Sequence, residues 1–152
     1  MLTQGSVDQV RKQEIDRAVS HIVIAMCFYP RQIKKEWRDD SITALGPDRE
    51  LFNEWKAWER KVGHDEAFNK VHYEERFTPN PIALYQLQKL SQLANEKDVY
   101  LICQCQVGER CHREMLMLIA RDKYGAKIGP LFHSYPVLEK RIAALDDQIK
   151  LW

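Results

Sequence analysis

The chain has 152 residues, of which 45% are hydrophobic and 30% are charged, and its formal net charge is +1. This length suffices for one domain with a substantial core, so neither metal nor disulfide crosslinks are needed for folding. The balanced charge creates no global field that would attract nucleic acid or a membrane surface. No apolar run reaches the roughly 20 residues that a membrane-spanning helix requires.

The N-terminal sequence and the cysteine content predict the compartment. Residues 1–14 contain neither the apolar core nor the small-residue cleavage site of a secretory signal. We therefore predict a cytoplasmic protein, in which thiols stay reduced. Its four cysteines are then expected to be core, catalytic or metal-binding thiols rather than disulfides.

The first part of the chain predicts one strand and four helices. Residues 1–19 are polar and are expected to be flexible or loosely packed, with a short helix over 7–18. The apolar run 21–28 predicts a strand buried on both faces, and Pro30 cannot continue it. Asp48 is the predicted N-cap of a helix to about residue 61, which Gly63 ends. Further helices are predicted over 65–77 and from Asn80-Pro81 onward.

The second half predicts a strand over 98–105, a loop and an amphipathic helix from Cys111 to Tyr124, which Gly125 ends. A short third strand over 127–132 and a last helix from Pro136 follow. The inner face of that helix is formed by Leu138, Ile142, Leu145 and Ile149. Strands that alternate with helices predict an α/β fold. We expect a single domain over 1–152, with a small, mainly parallel sheet flanked by helices and a helical insertion between the two main strands.

The loop after the second main strand is the predicted functional site. Ligands of open α/β sheets bind beyond the carboxyl ends of the strands, where Cys103 and Cys105 share one face by alternation. The following helix N-terminus favours an anion or a thiolate. We predict a cysteine-dependent transferase or hydrolase in which Cys103 or Cys105 is the reactive thiolate and His112 is the acid–base group.

Basic residues near this loop predict an anionic ligand, because guanidinium groups bind oxyanions with two parallel hydrogen bonds. Arg110 and Arg113 adjoin the cysteines. If the two main strands are parallel neighbours, Tyr29 and Arg31 face the same loop across one crevice. The expected ligand is an anionic small molecule or a nucleotide, and nucleic acid is an alternative partner. The oligomeric state is not predicted.

Other interpretations of the same loop remain open. Residues 105–110 spell C-x-x-G-x-R, which resembles the active-site loop of rhodanese-like sulfurtransferases and implies that Cys105 carries sulfur. A non-catalytic protein could use the loop and its arginines to bind phosphate or nucleic acid. The cysteines, Cys27 above all, could also be core residues, since cysteine is among the most buried residue types.

A metal-binding interpretation is also open, although the leading prediction includes no metal and no cofactor. A zinc-stabilised interaction domain would use Cys103, Cys105, Cys111 and His112 as ligands. However, C-x-C-x5-C-H departs from the usual paired spacing of zinc ligands. The adjacent residues Cys111 and His112 are also expected to point in different directions.

A series of short motifs in a fixed order extends over residues 21–120. The motif residues are Tyr29-Pro30-Arg31, Lys34-Lys35, Trp37, Leu45-Gly46-Pro47, Leu51, Phe68, Tyr73, Cys103 and Cys111-His112-Arg113. This ordered combination resembles the YeaO-like proteins, grouped as domain of unknown function 488. The resemblance implies no settled activity, but it implies one constellation that contains Trp37, the strand-end cysteine and the C-H-R triplet. We therefore assign ligand binding to Tyr29, Arg31, Trp37, Arg110, Cys111 and Arg113.

Overall fold

A four-stranded parallel sheet organises residues 1–145, the part of the chain that the computed structural model describes. The strands are β1 (Leu2–Ser6), β2 (Ser20–Ile24), β3 (Asp40–Ser41) and β4 (Asp98–Cys103), in the spatial order β1-β4-β2-β3. Both β1 and β2 pair with β4 in parallel. The predicted α/β fold with a parallel sheet is therefore confirmed, and the two main strands are neighbours.

Helices flank this sheet and supply most of the remaining structure. Within residues 1–145 they are α1 (Val7–Arg11), α2 (Arg49–Val62), α3 (His64–Lys70), α4 (Tyr73–Arg76), α5 (Pro81–Leu93), α6 (His112–Tyr124) and α7 (Pro136–Arg141). Short 3₁₀ turns cover Lys35–Trp37, Thr43–Leu45 and Ile142–Ala144. The predicted helical insertion between the main strands consists of α2 to α5. Among these described helices, none has the length and apolar character needed to cross a bilayer.

Apolar side chains cover both faces of the sheet, because successive side chains of a strand point to opposite sides. Val23 and Leu101 belong to the larger core, which buried residues of α2 to α7 complete. Ile24 and Ile102 belong to a smaller core with α1. The smaller core also contains Cys103, so one end of the functional loop is anchored in it.

The predicted helix caps are present, because each depends only on residues next to it in the chain. Asp48 Oδ1 accepts a hydrogen bond from the backbone N–H of Leu51 at 2.8 Å. Asn80 Oδ1 accepts one from Ala83 at 2.8 Å. At the end of α6, Gly125 has a φ of +68°, the left-handed conformation that glycine adopts without a Cβ clash.

The N-terminal segment differs most from the sequence-based expectation. Residues 2–6 are not loosely packed but form β1, which pairs with residues 99–103 of β4. Leu2 is fully buried, yet it is the only strongly apolar residue of β1, so no hydrophobic pattern marks this strand. The predicted helix over 7–18 is limited to α1, which Ser6 and Gln9 cap reciprocally.

Several predicted elements are shorter than expected or are divided, and β2 is shorter because its neighbour β4 ends. β2 stops at Ile24, and the last ladder bond runs from Ala25 N to Ile102 O at 3.0 Å, just before β4 ends at Cys103. The predicted helix over 65–77 is divided at His72, whose φ is +53°. Instead of a third strand over 127–132 there is an isolated bridge between residues 2 and 128.

The last predicted helix begins at Pro136 as expected but ends at Arg141, and a 3₁₀ turn continues it. Leu138, Ile142 and Leu145 are buried, as predicted for its inner face. The fourth residue predicted for that face, Ile149, lies outside the described residues.

A buried carboxylate ties the segment after α6 to the sheet. Glu114 is fully buried. Its Oε1 accepts a hydrogen bond from Tyr135 Oη at 2.7 Å, and its Oε2 accepts one from the backbone N–H of Phe132 at 2.6 Å. Gln4 Nε2 of β1 is 3.5 Å from the same Oε2. A buried charge needs such partners, so this network fixes the position of residues 132–135.

We expect Tyr135→Phe to lower the free energy of unfolding by about 1.5–3 kcal/mol, the usual contribution of a hydrogen bond to a charged group. The ring keeps its packing, while Glu114 Oε1 loses this donor. Urea denaturation measures the change. Tyr85→Phe is the matched control, since the Tyr85 side chain is 45% exposed. Equal stability of the two variants would contradict a structural role for the buried hydrogen bond.

Candidate functional site

A cavity of about 310 Å³ lies where β2 and β4 end. The loops after these strands supply part of its lining, and Pro47 together with residues of α2, α3, α4 and the start of α6 supplies the rest. Among the lining residues, Phe28 is 40% exposed, whereas Cys111 and His112 are only 2% and 3% exposed. His112 and its cysteine neighbours therefore form the base of the cavity, and Phe28 lies at its mouth.

Three side chains at this base converge. Cys103 is the last residue of β4, Cys111 precedes α6, and His112 is the first residue of α6. The sulfur atoms and a ring nitrogen of these residues all lie within 4.8 Å of one another. Cys105 lines the same cavity and interacts electrostatically with both Cys103 and Cys111. We call these four residues the cysteine–histidine cluster.

Cys111 and His112 point toward each other, contrary to the sequence-based expectation for adjacent residues. The distance from Cys111 Sγ to His112 Nδ1 is 3.5 Å. The reason is a change of backbone conformation between them. Cys111 is extended, with φ −158° and ψ 153°, whereas His112 is already helical.

The orientation of the His112 ring is fixed by the loop after β2. His112 Nε2 is 2.5 Å from the carbonyl oxygen of Ala25. Because a carbonyl oxygen only accepts hydrogen bonds, Nε2 carries a proton and donates it. The other nitrogen, Nδ1, is therefore the one presented to the cysteine sulfurs.

Mutual interactions within the cluster favour charge separation. Burial alone would raise the pKa of Cys111, but hydrogen bonds from Cys103 and Cys105 and the charge of Arg113 outweigh it and hold that pKa well below its usual value. Burial alone would lower the pKa of His112, but the charge of Cys111 raises it well above its usual value. Both shifts favour a thiolate at Cys111 and a protonated imidazole at His112.

The pKa values of two other cavity thiols, Cys105 and Cys27, are shifted in the opposite direction to that of Cys111. Hydrogen bonds to Cys103 and Cys111, together with burial, raise the pKa of Cys105. Burial raises the pKa of Cys27, which lies on the opposite wall. The thiol with the lowered pKa is thus Cys111, which the sequence assigned to ligand binding rather than to catalysis.

Arg113 stabilises the loop from behind instead of facing the cavity. Its side chain is fully buried. One terminal nitrogen donates to the carbonyl oxygen of Gly5 in β1, and the other donates to that of Gln106 at 3.0 Å. Both terminal nitrogens therefore bind protein backbone, and Arg113 does not line the cavity where a ligand contact was predicted.

The other predicted ligand-binding residues are divided between two places. Arg110 lines the cavity, and its guanidinium carbon lies 5.2 Å from the centre of the Tyr135 ring. Tyr29, Arg31 and Trp37 do not line it: Arg31 is exposed, and the two aromatic residues pack against the smaller core. Since β2 ends early, Met26, Cys27 and Phe28 occupy the wall that was assigned to residues 29–31.

A histidine that sequence reasoning did not select lies on another wall of the cavity. His64 Nε2 donates to the carbonyl oxygen of Arg110 at 2.6 Å. His64 Nδ1 is 3.3 Å from a carboxylate oxygen of Glu59 and 3.3 Å from one of Glu109. His64 and Arg110 are 46 residues apart in the chain, so no local sequence pattern could have revealed their contact.

Aromatic rings form the remaining walls. The Phe28 and Phe52 rings meet edge to face at 5.1 Å, and Trp55 meets His64 in the same way at 5.0 Å. Phe68, another lining residue, stacks on Tyr73 at 4.2 Å. The helical spacing of Phe52 and Trp55 predicts core residues, and the sequence contains no signal that distinguishes core from cavity wall.

A family model described as the active DUF488-N3 subclade (DUF488-N3a) matches residues 7–123. The chain belongs to this DUF488 family. The match confirms the resemblance that the motifs indicate, and it covers β2, the helical insertion, β4 and the cysteine–histidine cluster of this DUF488 protein. Neither the curated proteins nor the solved structures include a match to the chain.

Proposed function

We propose that this DUF488 protein is an enzyme that acts on a small planar molecule, which it holds in the aromatic-walled cavity with the reacting group against the cysteine–histidine cluster. One observation carries the proposal: a cavity of about 310 Å³ ends at buried thiols and an imidazole. Ligand pockets have volumes of about 300–1,000 Å³, so this one suits a compound of one or two rings.

The lining of the cavity supports this substrate class. Phe28, Phe52 and Trp55 can stack on or meet the edge of a flat ring, which aromatic side chains do favourably. Lys56 and Arg110 line the same cavity, so an anionic substituent, including the phosphate of a nucleotide, would face them. The predicted anion grip by Arg31 and Arg113 has no support in the geometry.

The chemistry of the cluster supports a transferase or a hydrolase. A thiolate is the reactive form of cysteine, both as a nucleophile and as a metal ligand. The lowered pKa of Cys111 favours a thiolate, and His112 Nδ1 lies 3.5 Å from its sulfur. Either use of the thiolate brings the reaction to the same place, the base of the cavity.

The test is ligand binding followed by turnover. A panel of planar metabolites, nucleosides and nucleotides is screened for an increase in the melting temperature, since a ligand that binds only the folded state stabilises it. We expect Phe52→Leu to weaken binding of a confirmed ligand about tenfold, a loss of about 1.4 kcal/mol in aromatic contacts. Phe132→Leu is the matched control, because Phe132 is 53% exposed and does not line the cavity.

Turnover of that ligand is then compared between the wild type and Cys111→Ser. We expect turnover to fall by orders of magnitude while Phe52-dependent binding persists, because serine does not form an oxyanion at neutral pH. If the panel contains no stabilising planar compound, or if Phe52→Leu binds it as well as Phe132→Leu does, the proposal is contradicted.

A further inference from the structure

We infer that the cysteine–histidine cluster is a zinc site in which Cys103, Cys111 and His112 are the ligands and the fourth coordination position opens to the cavity. The inference deepens the proposed function. It rests on that proposal only in assuming that the reaction takes place at this cluster. It goes beyond the sequence pattern, whose spacing departs from that of usual zinc sites.

The spacing of the ligand atoms fits a tetrahedral ion. With Zn–S bonds of about 2.3 Å and Zn–N bonds of about 2.0–2.1 Å at tetrahedral angles, a sulfur and a nitrogen ligand lie about 3.5 Å apart. The distance from Cys111 Sγ to His112 Nδ1 is 3.5 Å. With Cys103 Sγ included, all three atoms lie within 4.8 Å of one another, so only a small contraction would complete the site.

The surroundings of His112 provide an independent indication. A histidine that binds a metal through one nitrogen almost always donates the other N–H to a carboxylate, a backbone carbonyl or water. His112 Nε2 has this partner in the carbonyl oxygen of Ala25, at 2.5 Å. The ring is therefore held with Nδ1 toward the sulfurs before any ion binds, and it lies in a buried site.

The types of ligand select the metal. The number of buried ligands and the adjoining cavity indicate an open fourth coordination position. Two thiolates with one imidazole suit zinc among the common cellular metals, since carboxylate-free, sulfur-rich sites exclude magnesium and calcium. All four residues of the cluster line the cavity; Cys103, Cys111 and His112 are at most 8% exposed, whereas Cys105 is only partly buried. Three protein ligands with an accessible fourth position are the arrangement of catalytic rather than structural zinc.

A zinc ion at the cluster would determine the type of reaction that a planar substrate undergoes in the cavity. A zinc ion in this position would polarise a substrate carbonyl or activate a bound water molecule. Cys103 and Cys111 would then be ligands and not nucleophiles. Cys105, whose thiol stays outside the three-ligand set, would border the open position.

The experiment is elemental analysis of the full-length protein, produced with zinc in the medium and purified without a chelator or a histidine tag. We expect about one zinc per chain in the wild type, in Cys27→Ser and in Cys105→Ser. Cys27→Ser is the matched control, because Cys27 lines the cavity outside the ligand set. Loss of a residue that only hydrogen-bonds a metal ligand lowers metal affinity roughly 10–100-fold. Cys111→Ser removes a ligand itself, so its zinc affinity should fall further.

Cobalt substitution keeps the test valid if Cys111→Ser does not fold. Metal-depleted wild type titrated with Co²⁺ should show the visible bands of a tetrahedral site and thiolate-to-metal charge transfer, and Cys105→Ser should show both unchanged. No metal and no cobalt spectrum in the wild type would overturn the inference, and so would a different transition metal in place of zinc. Loss of zinc in Cys105→Ser would overturn the open position, because the site would then be closed by four protein ligands.

These outcomes are separate from those of the proposed function. Metal content is measured without substrate, so a protein that lacks zinc but binds a planar ligand through Phe52 contradicts only the zinc inference. A protein that holds zinc but binds no planar ligand contradicts only the proposed substrate class.

Discussion

Replacement of Arg113 by alanine should lower the free energy of unfolding by about 3–6 kcal/mol, because it removes two hydrogen bonds from a charged donor that contribute about 1.5–3 kcal/mol each. The side chain is fully buried and joins the carbonyl oxygens of Gly5 and Gln106. Without it, both carbonyl groups lose a charged donor and a cavity replaces the guanidinium. A loss of this size is a large fraction of the stability of an ordinary domain.

The comparison with Arg121→Ala isolates this effect. Arg121 lies in the same helix, α6, but its side chain is 45% exposed and pairs with Asp122 at the surface. An exposed pair contributes little, so we expect Arg121→Ala to change the free energy of unfolding by no more than about 0.5 kcal/mol. Urea denaturation measures both variants at the same pH and salt concentration.

Arg113→Lys extends the test to geometry. A lysine ammonium is a single point donor and cannot bridge two carbonyl groups as the guanidinium fork does. We expect Arg113→Lys to be destabilised as well, with proteolytic cleavage appearing first in residues 104–110. If Arg113→Ala were as stable as Arg121→Ala, the loop would not depend on this contact.

Replacement of Gly46 by alanine should cost about 3 kcal/mol, at the upper end of the usual penalty for overpacking. A Cβ atom at Gly46 would lie 2.3 Å from Cys27 N and 2.7 Å from Met26 C. Both are backbone atoms of the cavity wall, which cannot rotate away. The cause is steric, since the φ of Gly46 is −78°, a value that any residue adopts.

Gly5→Ala is a suitable comparison, because the closest atom to its new Cβ would be the flexible end of a side chain, Ile102 Cδ1 at 2.8 Å. We expect a smaller loss there, about 1 kcal/mol. Thermal and urea denaturation give the two values. Planar ligands should also bind Gly46→Ala more weakly, since residues 26–28 must shift. A Gly46→Ala variant as stable as Gly5→Ala would show that the wall is not tightly packed at this position.

The parts of the candidate site that could be predicted from the sequence are those whose residues are close together in the chain. Cys103, Cys105, Cys111 and His112 could be placed together because a strand end, a short loop and a helix start keep them close whatever the rest of the fold does. The second wall could not be placed, because its position depends on where β2 ends. That point is set by the end of the neighbouring strand β4 and not by the apolar run itself.

By itself, the sequence determined the features that depend on neighbouring residues: the caps at Asp48 and Asn80, the stop at Gly125, the buried strand β4 and the location of the cysteine loop. Their hydrogen bonds and periodicity are complete within a few residues.

Only the tertiary structure decided the rest. It made a strand of the polar segment Leu2–Ser6, because β4 offered it an unpaired edge. It directed His112 Nδ1 to the sulfurs through a carbonyl oxygen 87 residues away, and it turned Arg113 toward β1 instead of the ligand. These contacts join distant parts of the chain, and their partners exist only once the sheet has formed.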